Sequence, residues 1–245
     1  MINAKTLCSC FLRSYFTGAA FNPRGLQNIG LLYAVEPALS RIYPNQELLL
    51  KARSRYMWHF NTHPLWVPLL VGMFLNLEQS VRKDMLPSQG MVALKNTACY
   101  TLSAIGDSVF SGSLIPLWGL IMCCLFIKGF TLTALLVLLC GVLGIQLFRV
   151  VTFIGGLRYG LGVIEKLSKF DIMLWGDRIK IINGCLIALL IYLIFPLPAN
   201  GLDIFFPLLA LFCSGWLIFR NKVPRFLVVI GLFFVLWGSN LAKLF

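Results

Sequence analysis

Five stretches of this chain carry no charged residue: Ser108 to Ile127, Gly129 to Phe148, Ile181 to Leu202, Ile204 to Phe219 and Phe226 to Ala242. Charge flanks every one of them. A helix needs about 20 apolar residues to cross a bilayer, so the windows predict about five full spanning helices. Helices are expected because in lipid each backbone polar group must be satisfied within the segment or a closed barrel. Two apolar runs that are too short to span come before them. His63-Pro64 opens a run through Pro68 to Leu77, and a second run, Met91 to Ile105, ends at Gly106-Asp107-Ser108. Broken or re-entrant hairpin segments of this kind put irregular backbone at membrane depth, where it lines a cavity. Two short helices packed at the cytoplasmic surface would give the same pattern.

The first sixty residues are the most polar. Arg41, Lys51, Arg53 and Arg55 lie on a helical stretch with Leu48, Leu49, Ala52 and Tyr56. This predicts a cytoplasmic, interfacial helical arm over residues 1–60, with basic side chains against lipid headgroups, ahead of a transmembrane domain over residues 61–245. An ordinary helix with a solvated charged face is the alternative. The fold class expected is an all-α, polytopic membrane protein.

Composition supports this. Hydrophobic residues make up 59% of the 245 and charged residues 12%, too few to cover a soluble domain of this size. The net charge of +12 does not point to nucleic acid, because the basic residues gather at membrane ends and form no basic domain with interleaved aromatics. By the positive-inside rule, Arg149 to Lys180 and Arg220 to Arg225 mark cytoplasmic segments, while the link from Pro196 to Asp203, without a basic residue, faces outside. The N-terminus is then cytoplasmic and the last helix runs outward to Phe245. Lys5 and Arg13 bracket an apolar stretch too short for a cleaved signal. Cys123, Cys124, Cys140, Cys185 and Cys213 sit among apolar residues and read as buried small hydrophobes. Cys8 and Cys10 lack a matching second pair, so no zinc site or disulfide framework is expected.

Polar groups near a membrane core are costly and mark a binding site or pathway. Asn61, Thr62 and His63 stand beside the helix breaker Pro64, Glu78 closes the first short run, and Asp107 sits at the glycine after the second. A sugar presents many hydroxyls that donate and accept, and a carboxylate with neighbouring amides matches them. These five residues are the candidate substrate-binding set. Asp107 could instead cap the following helix, and His63 could be a satisfied interior histidine. His59 and His63 are four apart, but no neighbouring Cys or acid completes a metal set. No G-x-S-x-G, P-loop, Rossmann or zinc-protease motif occurs, so neither a catalytic residue nor a cofactor is expected. Gly155-Gly156 and Gly160-x-Gly162 read as close helix contacts.

At these residues the chain resembles the IID membrane subunit of mannose/fructose/sorbose-type phosphotransferase system permeases, over residues 7–245. Phe11-Leu12-Arg13-Ser14 is similar to the family's opening, and Asn22, Gln27 and Gly30 to the stretch before Pro37 and Tyr43-Pro44. Phe60-Asn61-Thr62-His63-Pro64 is the most specific motif. Gly106-Asp107, Phe110 and Pro116 resemble a Gly-Asp-Pro segment, and Lys222-Val223 through Gly231 the last hairpin. The resemblance implies a multi-pass protein of the bacterial inner membrane. It further implies a IIC partner, a trimer of IIC–IID heterodimers, and cytoplasmic IIA and IIB components that phosphorylate a hexose on entry. It implies no phosphorylated residue on this chain.

Departures accompany the likeness. Arg24-Gly25 stands where the family has Glu-Arg, Tyr100 to Ala104 where it has Gly-Pro-Leu-Ala-Gly, Ser108 where it has proline, and Ile115 where it has arginine. A polar insert is also missing between the helices joined by Pro196 to Asp203. Two readings follow: a IID subunit of a working sugar permease, or a non-transporting scaffold or regulatory paralogue that keeps IIC binding without sugar recognition. An unrelated channel would need repeated pore-lining polar spacing, which is missing.

Overall fold

The structure is a computed structural model that describes residues 2–194, and those up to Leu190 belong to one compact unit. The windows Ile204 to Phe219 and Phe226 to Ala242, the end of Ile181 to Leu202, Cys213 and the Lys222 to Gly231 hairpin lie outside the described residues. Among the described residues the regular structure is helical, apart from isolated bridges of Leu26 with Asn22 and with Phe60. The helices are α1 (Ala4–Ser14), α2 (Asn28–Ile42), α3 (Gln46–Tyr56), α4 (Val67–Arg82) and α5 (Ser88–Gly106), then a π-helical segment (Asp107–Leu114). After it come α6 (Ile115–Ile127), α7 (Thr131–Tyr159), α8 (Gly162–Ser168) and α9 (Ile172–Ile194).

Local chemistry sets the short helices. Asn3 caps α1 by accepting from the Thr6 amide at 2.9 Å, and Thr6, Cys10 and Ser14, four residues apart, form its buried stripe. Asn45 caps α3 through the Glu47 and Leu48 amides, Glu47 lies in the first turn, and Arg53 and Arg55 lie in the last, as the helix dipole favours. Leu49, Ala52 and Tyr56 face inward while Leu48 is exposed. Gly30 in α2 lets the Thr17 backbone lie directly on the helix. Residues 1–60 thus supply part of the core: Cys10, Leu31, Ala34, Val35, Ala38 and Leu39 are wholly buried.

The core centres on α4. The short-run expectation fails here, because Val67 to Leu77 belongs to one unbroken helix whose Pro68 sits in the first turn, where the missing amide costs nothing. Nearly all of that run is buried against other helices. Hydropathy gives an apolar run the same score whether protein or lipid covers it. Two glycines set its crossing with α7. A Cβ on Gly156 would fall 2.7 Å from the Met73 nitrogen, and one on Gly72 would fall 3.0 Å from the Leu157 nitrogen. The Asn76 amide donates to the Leu157 carbonyl at 2.9 Å alongside. Of the glycines expected at close contacts, Gly156 is one and Gly160 another, for a Cβ on Gly160 would lie 3.1 Å from Asn76 Cγ on α4, where the chain leaves α7 with a positive φ of 51°; Gly155 and Gly162 are not.

The second short run is likewise no separate segment. α5 continues through the π-helical turns into α6, so Gly106-Asp107 is not a break; Asp107 has helical φ −63° and ψ −42° and caps nothing. Its apolar part, Gly90–Ile127, and α7 are the two described helices long and apolar enough to cross a membrane. α7 turns Leu132, Leu135, Leu136, Leu139, Leu143 and Leu147 outward, a hydrocarbon face that water would not tolerate. Cys123, Cys140 and Cys185 are turned outward on α6, α7 and α9, where this chain does not cover them, whereas Cys10 and Cys99 are buried.

Candidate functional site

The Phe60 to Pro64 loop is held from its N-terminal side. Leu26 adopts a left-handed φ of 58°, which turns the chain so that the Gln27 amide donates to the Phe60 carbonyl at 2.9 Å and the Phe60 amide to the Gly25 carbonyl at 3.1 Å. The Gln27 side chain accepts from the Thr62 amide at 3.3 Å. Asn22 accepts from the Gly25 amide and donates to the Leu26 carbonyl and to Asn28, whose own amide donates to the Met57 carbonyl at 2.6 Å. Asn22, Gln27 and Asn28 together brace the loop.

His63 is the loop's anchor. Its Nδ1 accepts from the Leu65 amide at 3.3 Å, so Nε2 carries the proton and donates to Ser111 Oγ, 3.0 Å away on the π-helical segment. The ring packs on Phe110 at 5.2 Å, and Phe110 and Phe148 both pack on Trp66. Gly106 makes room, since a Cβ there would lie 2.8 Å from His63 Cγ and 2.9 Å from Trp66 Cδ1. Burial lowers the His63 pKa, Asp107 works against that shift and Arg149 adds to it, so the imidazole is neutral at pH 7.

Around this anchor three buried polar atoms have no partner among the described residues: Thr62 Oγ1, Trp66 Nε1 and Arg149 Nε. Buried polar groups are ordinarily hydrogen-bonded, so such a group of donors is where a hydroxyl-bearing ligand or water would be held. Asn61 is half-buried beside them and Asp107 is exposed one residue beyond Gly106. Gln27, Trp66, Ser111 and Arg149 were not picked out as site residues from the sequence. Arg149 was legible only as a charge at a helix end, and the others depend on contacts distant in sequence.

Glu78 is elsewhere. It lies twelve residues along α4 from Trp66, roughly 18 Å at the helical rise. It is wholly buried, paired with Arg55 and accepting from the Tyr43 hydroxyl at 2.8 Å. Burial, reinforced by the Glu78 charge, pushes the Tyr43 phenol up, so it stays a donor. The five candidates therefore divide: Asn61, Thr62, His63 and Asp107 share one region, while Glu78 joins α4 to α2 and α3.

The departures have local roles. Gly25 is fitted to its place, because a Cβ there would overlap the anchored Asn28 amide. Arg24 donates its amide to Asn22, and Ser108 accepts from Lys180 at 3.2 Å. Tyr100 and Ile115 are exposed, the former stacked on His59 at 6.1 Å.

Two long apolar helices with hydrocarbon faces turned outward, packed on a core that holds a braced polar loop, define an integral membrane protein. The family is equally plain: the model of the PTS system mannose/fructose/sorbose family IID component matches residues 1–196, and the chain belongs to that family. It is 28% identical over 152 residues to the mannose-specific EIID component of Escherichia coli strain K12, an alignment covering 61% of this chain and 52% of that protein. The chain spans about half the length of the curated relatives it matches. Two solved structures share the fold. One, described as the structure of a membrane protein, has a TM-score of 0.77 at 21% identity, covering 98% of this chain and 97% of that one. The other is a cryoEM structure of the mannose transporter ManYZ with microcin E492, at TM-score 0.55 and 22% identity, covering 99% and 97%.

Proposed function

We propose that this chain is the IID component of a sugar permease, pairing with a IIC subunit to bind and move a hexose that IIA and IIB partners phosphorylate on entry. The observation that supports the reading is the braced loop that carries Asn61, Thr62 and His63, around which Thr62, Trp66 and Arg149 each keep a buried donor without a partner among the described residues, with Asp107 exposed nearby. Hydroxyl-rich ligands need many donors and acceptors at fixed positions, and a rigid loop provides them. On this reading Glu78 serves the site from a distance, by fixing α4 on α2 and α3. The chain itself performs no chemistry. It is a multi-pass protein of the bacterial inner membrane with about five spans, its N-terminus cytoplasmic and its C-terminus outside, working as a trimer of heterodimers. Residues 1–60 form the interfacial part and residues 61–245 the permease part.

Replacing Asn61 or Asp107 with alanine in cells holding all the components should abolish phosphoenolpyruvate-dependent hexose uptake. Undiminished uptake in both variants would overturn the site assignment.

A second reading has its own observation. The departures Tyr100 and Ile115 present exposed, largely apolar side chains where the family pattern has glycine and arginine. That suits a scaffold that keeps IIC binding without recognising sugar. It predicts a stable complex with a IIC protein whose melting temperature no hexose changes.

A further inference from the structure

A cleft of about 420 Å³ opens between α3 and the α4–α5 turn, well away from the loop site. Tyr43, Lys51 and Arg55 form one wall, and Arg82, Asp84 and Ser88 are on the other. Lys51 and Arg55, four apart on α3, present their side chains on one face. On the opposite wall Asp84 holds a left-handed φ of 56°, which turns the chain from the end of α4 toward α5. The volume lies within the roughly 300–1,000 Å³ of small-molecule sites.

Charge decides what the cleft suits. Arg55 is neutralised by Glu78 inside the protein, and Lys51 reaches Glu47 only through a solvent-exposed pair that holds it weakly. Arg82 makes no ion pair among the described residues, and with Lys51 it outweighs the single negative charge that Asp84 brings to the same wall. Behind this wall lies Lys95, wholly buried, its Nζ donating to the Arg55 carbonyl at 3.1 Å and facing no carboxylate among the described residues. A buried ammonium without a counter-ion is costly.

We propose that this cleft binds a phosphate group, gripped by Lys51 and Arg82 with the Ser88 hydroxyl beside them. Arginine matches phosphate oxygens in a two-pronged geometry and lysine supplies a point charge. The group could belong to a soluble phosphomonoester or to a lipid headgroup, which share this chemistry. The site does not depend on the sugar reading, since none of its residues belongs to the His63 loop.

The test uses the purified full chain and the variant Lys51→Glu/Arg82→Glu, whose two positions are exposed and should fold. Melting is followed with glucose 6-phosphate against glucose, and in nanodiscs of phosphatidylglycerol against phosphatidylcholine. Glucose 6-phosphate raising the wild-type melting temperature, with the double variant unresponsive, assigns a soluble phosphomonoester. A rise confined to phosphatidylglycerol and lost in the variant assigns the headgroup. No rise with either probe, or an equal rise in the variant, overturns the proposal. Loss of hexose uptake in Asn61→Ala bears on neither result.

Discussion

Gly155 and Gly156 are neighbours on α7, yet adding one methyl group to each should have opposite effects. A Cβ on Gly156 would run into the Leu69 carbonyl oxygen and stand 2.7 Å from the Met73 nitrogen, where ordinary contact begins at 3.4 Å, so the helices must part by more than the 0.7 Å that the Met73 contact alone requires. The obstacle is backbone of α4, which has no rotamer into which to retreat. Parting the helices also stretches the 2.9 Å bond from Asn76 to the Leu157 carbonyl and loosens the contact of Phe11 with Phe153. Overpacking of this kind costs about 1–3 kcal/mol. At about 2–4 °C per kcal/mol for a chain of this size, Gly156→Ala should melt about 2–12 °C lower. On Gly155 the nearest atom to a new Cβ is a Val163 methyl at 3.6 Å, an ordinary contact. Alanine there gains about 0.5–1 kcal/mol from reduced backbone freedom in the unfolded chain, so Gly155→Ala should melt at or above the parent temperature. Intrinsic tryptophan fluorescence during heating in detergent measures both. Equal melting temperatures for the two variants would refute close packing at Gly156, because helix propensity is the same at both positions.

Two further outcomes follow from the charged interior and from His63. Glu78→Gln leaves Arg55 half-buried without its counter-charge and should cost about 3–5 kcal/mol, read by the same melting assay; a loss below 1 kcal/mol would show that Arg55 reaches water when Glu78 is gone. The His63 pKa is lowered in the folded chain, so the unfolded chain takes up its proton first as pH falls. Stability from this residue is present above the ordinary value of 6.5 and is lost as pH drops from there toward the folded pKa. The parent should lose melting temperature between pH 7 and pH 5 relative to His63→Gln, and parallel curves would count against a neutral buried imidazole.

The spanning helices were legible because their signal is local. Ser108 to Ile127 and Gly129 to Phe148 are charge-free for a bilayer's depth, and the structure places long outward-facing helices there. Val67 to Leu77 was legible as apolar but not as central, since its length says nothing of the helices that cover it. Gly106-Asp107 misled for a related reason. Glycine followed by a short acidic residue ordinarily punctuates a helix. Here the glycine clears space for His63 and Trp66, some forty positions earlier in the chain, and the π-helical segment carries the helix through. The loop motif pointed to Asn61, Thr62 and His63, while Ser111, Trp66 and Arg149 joined them only through folding. Glu78 was visible as a costly charge, but its partner, twenty-three residues earlier on α3, was not.

The π-helical segment from Asp107 to Leu114 joins a half-helix with one face buried in protein to one that faces outward. An α-helix advances about 100° per residue, so a single inserted or deleted residue there would swing all of α6 round by that angle while leaving α5 in place. The segment works as an index joint. Chain length at this one point, rather than any side chain, decides which flank of α6 meets its surroundings, and a lineage could re-aim the membrane half of this rod by a one-codon change placed after Ser111, which leaves the Phe110 and Ser111 contacts of His63 where they are.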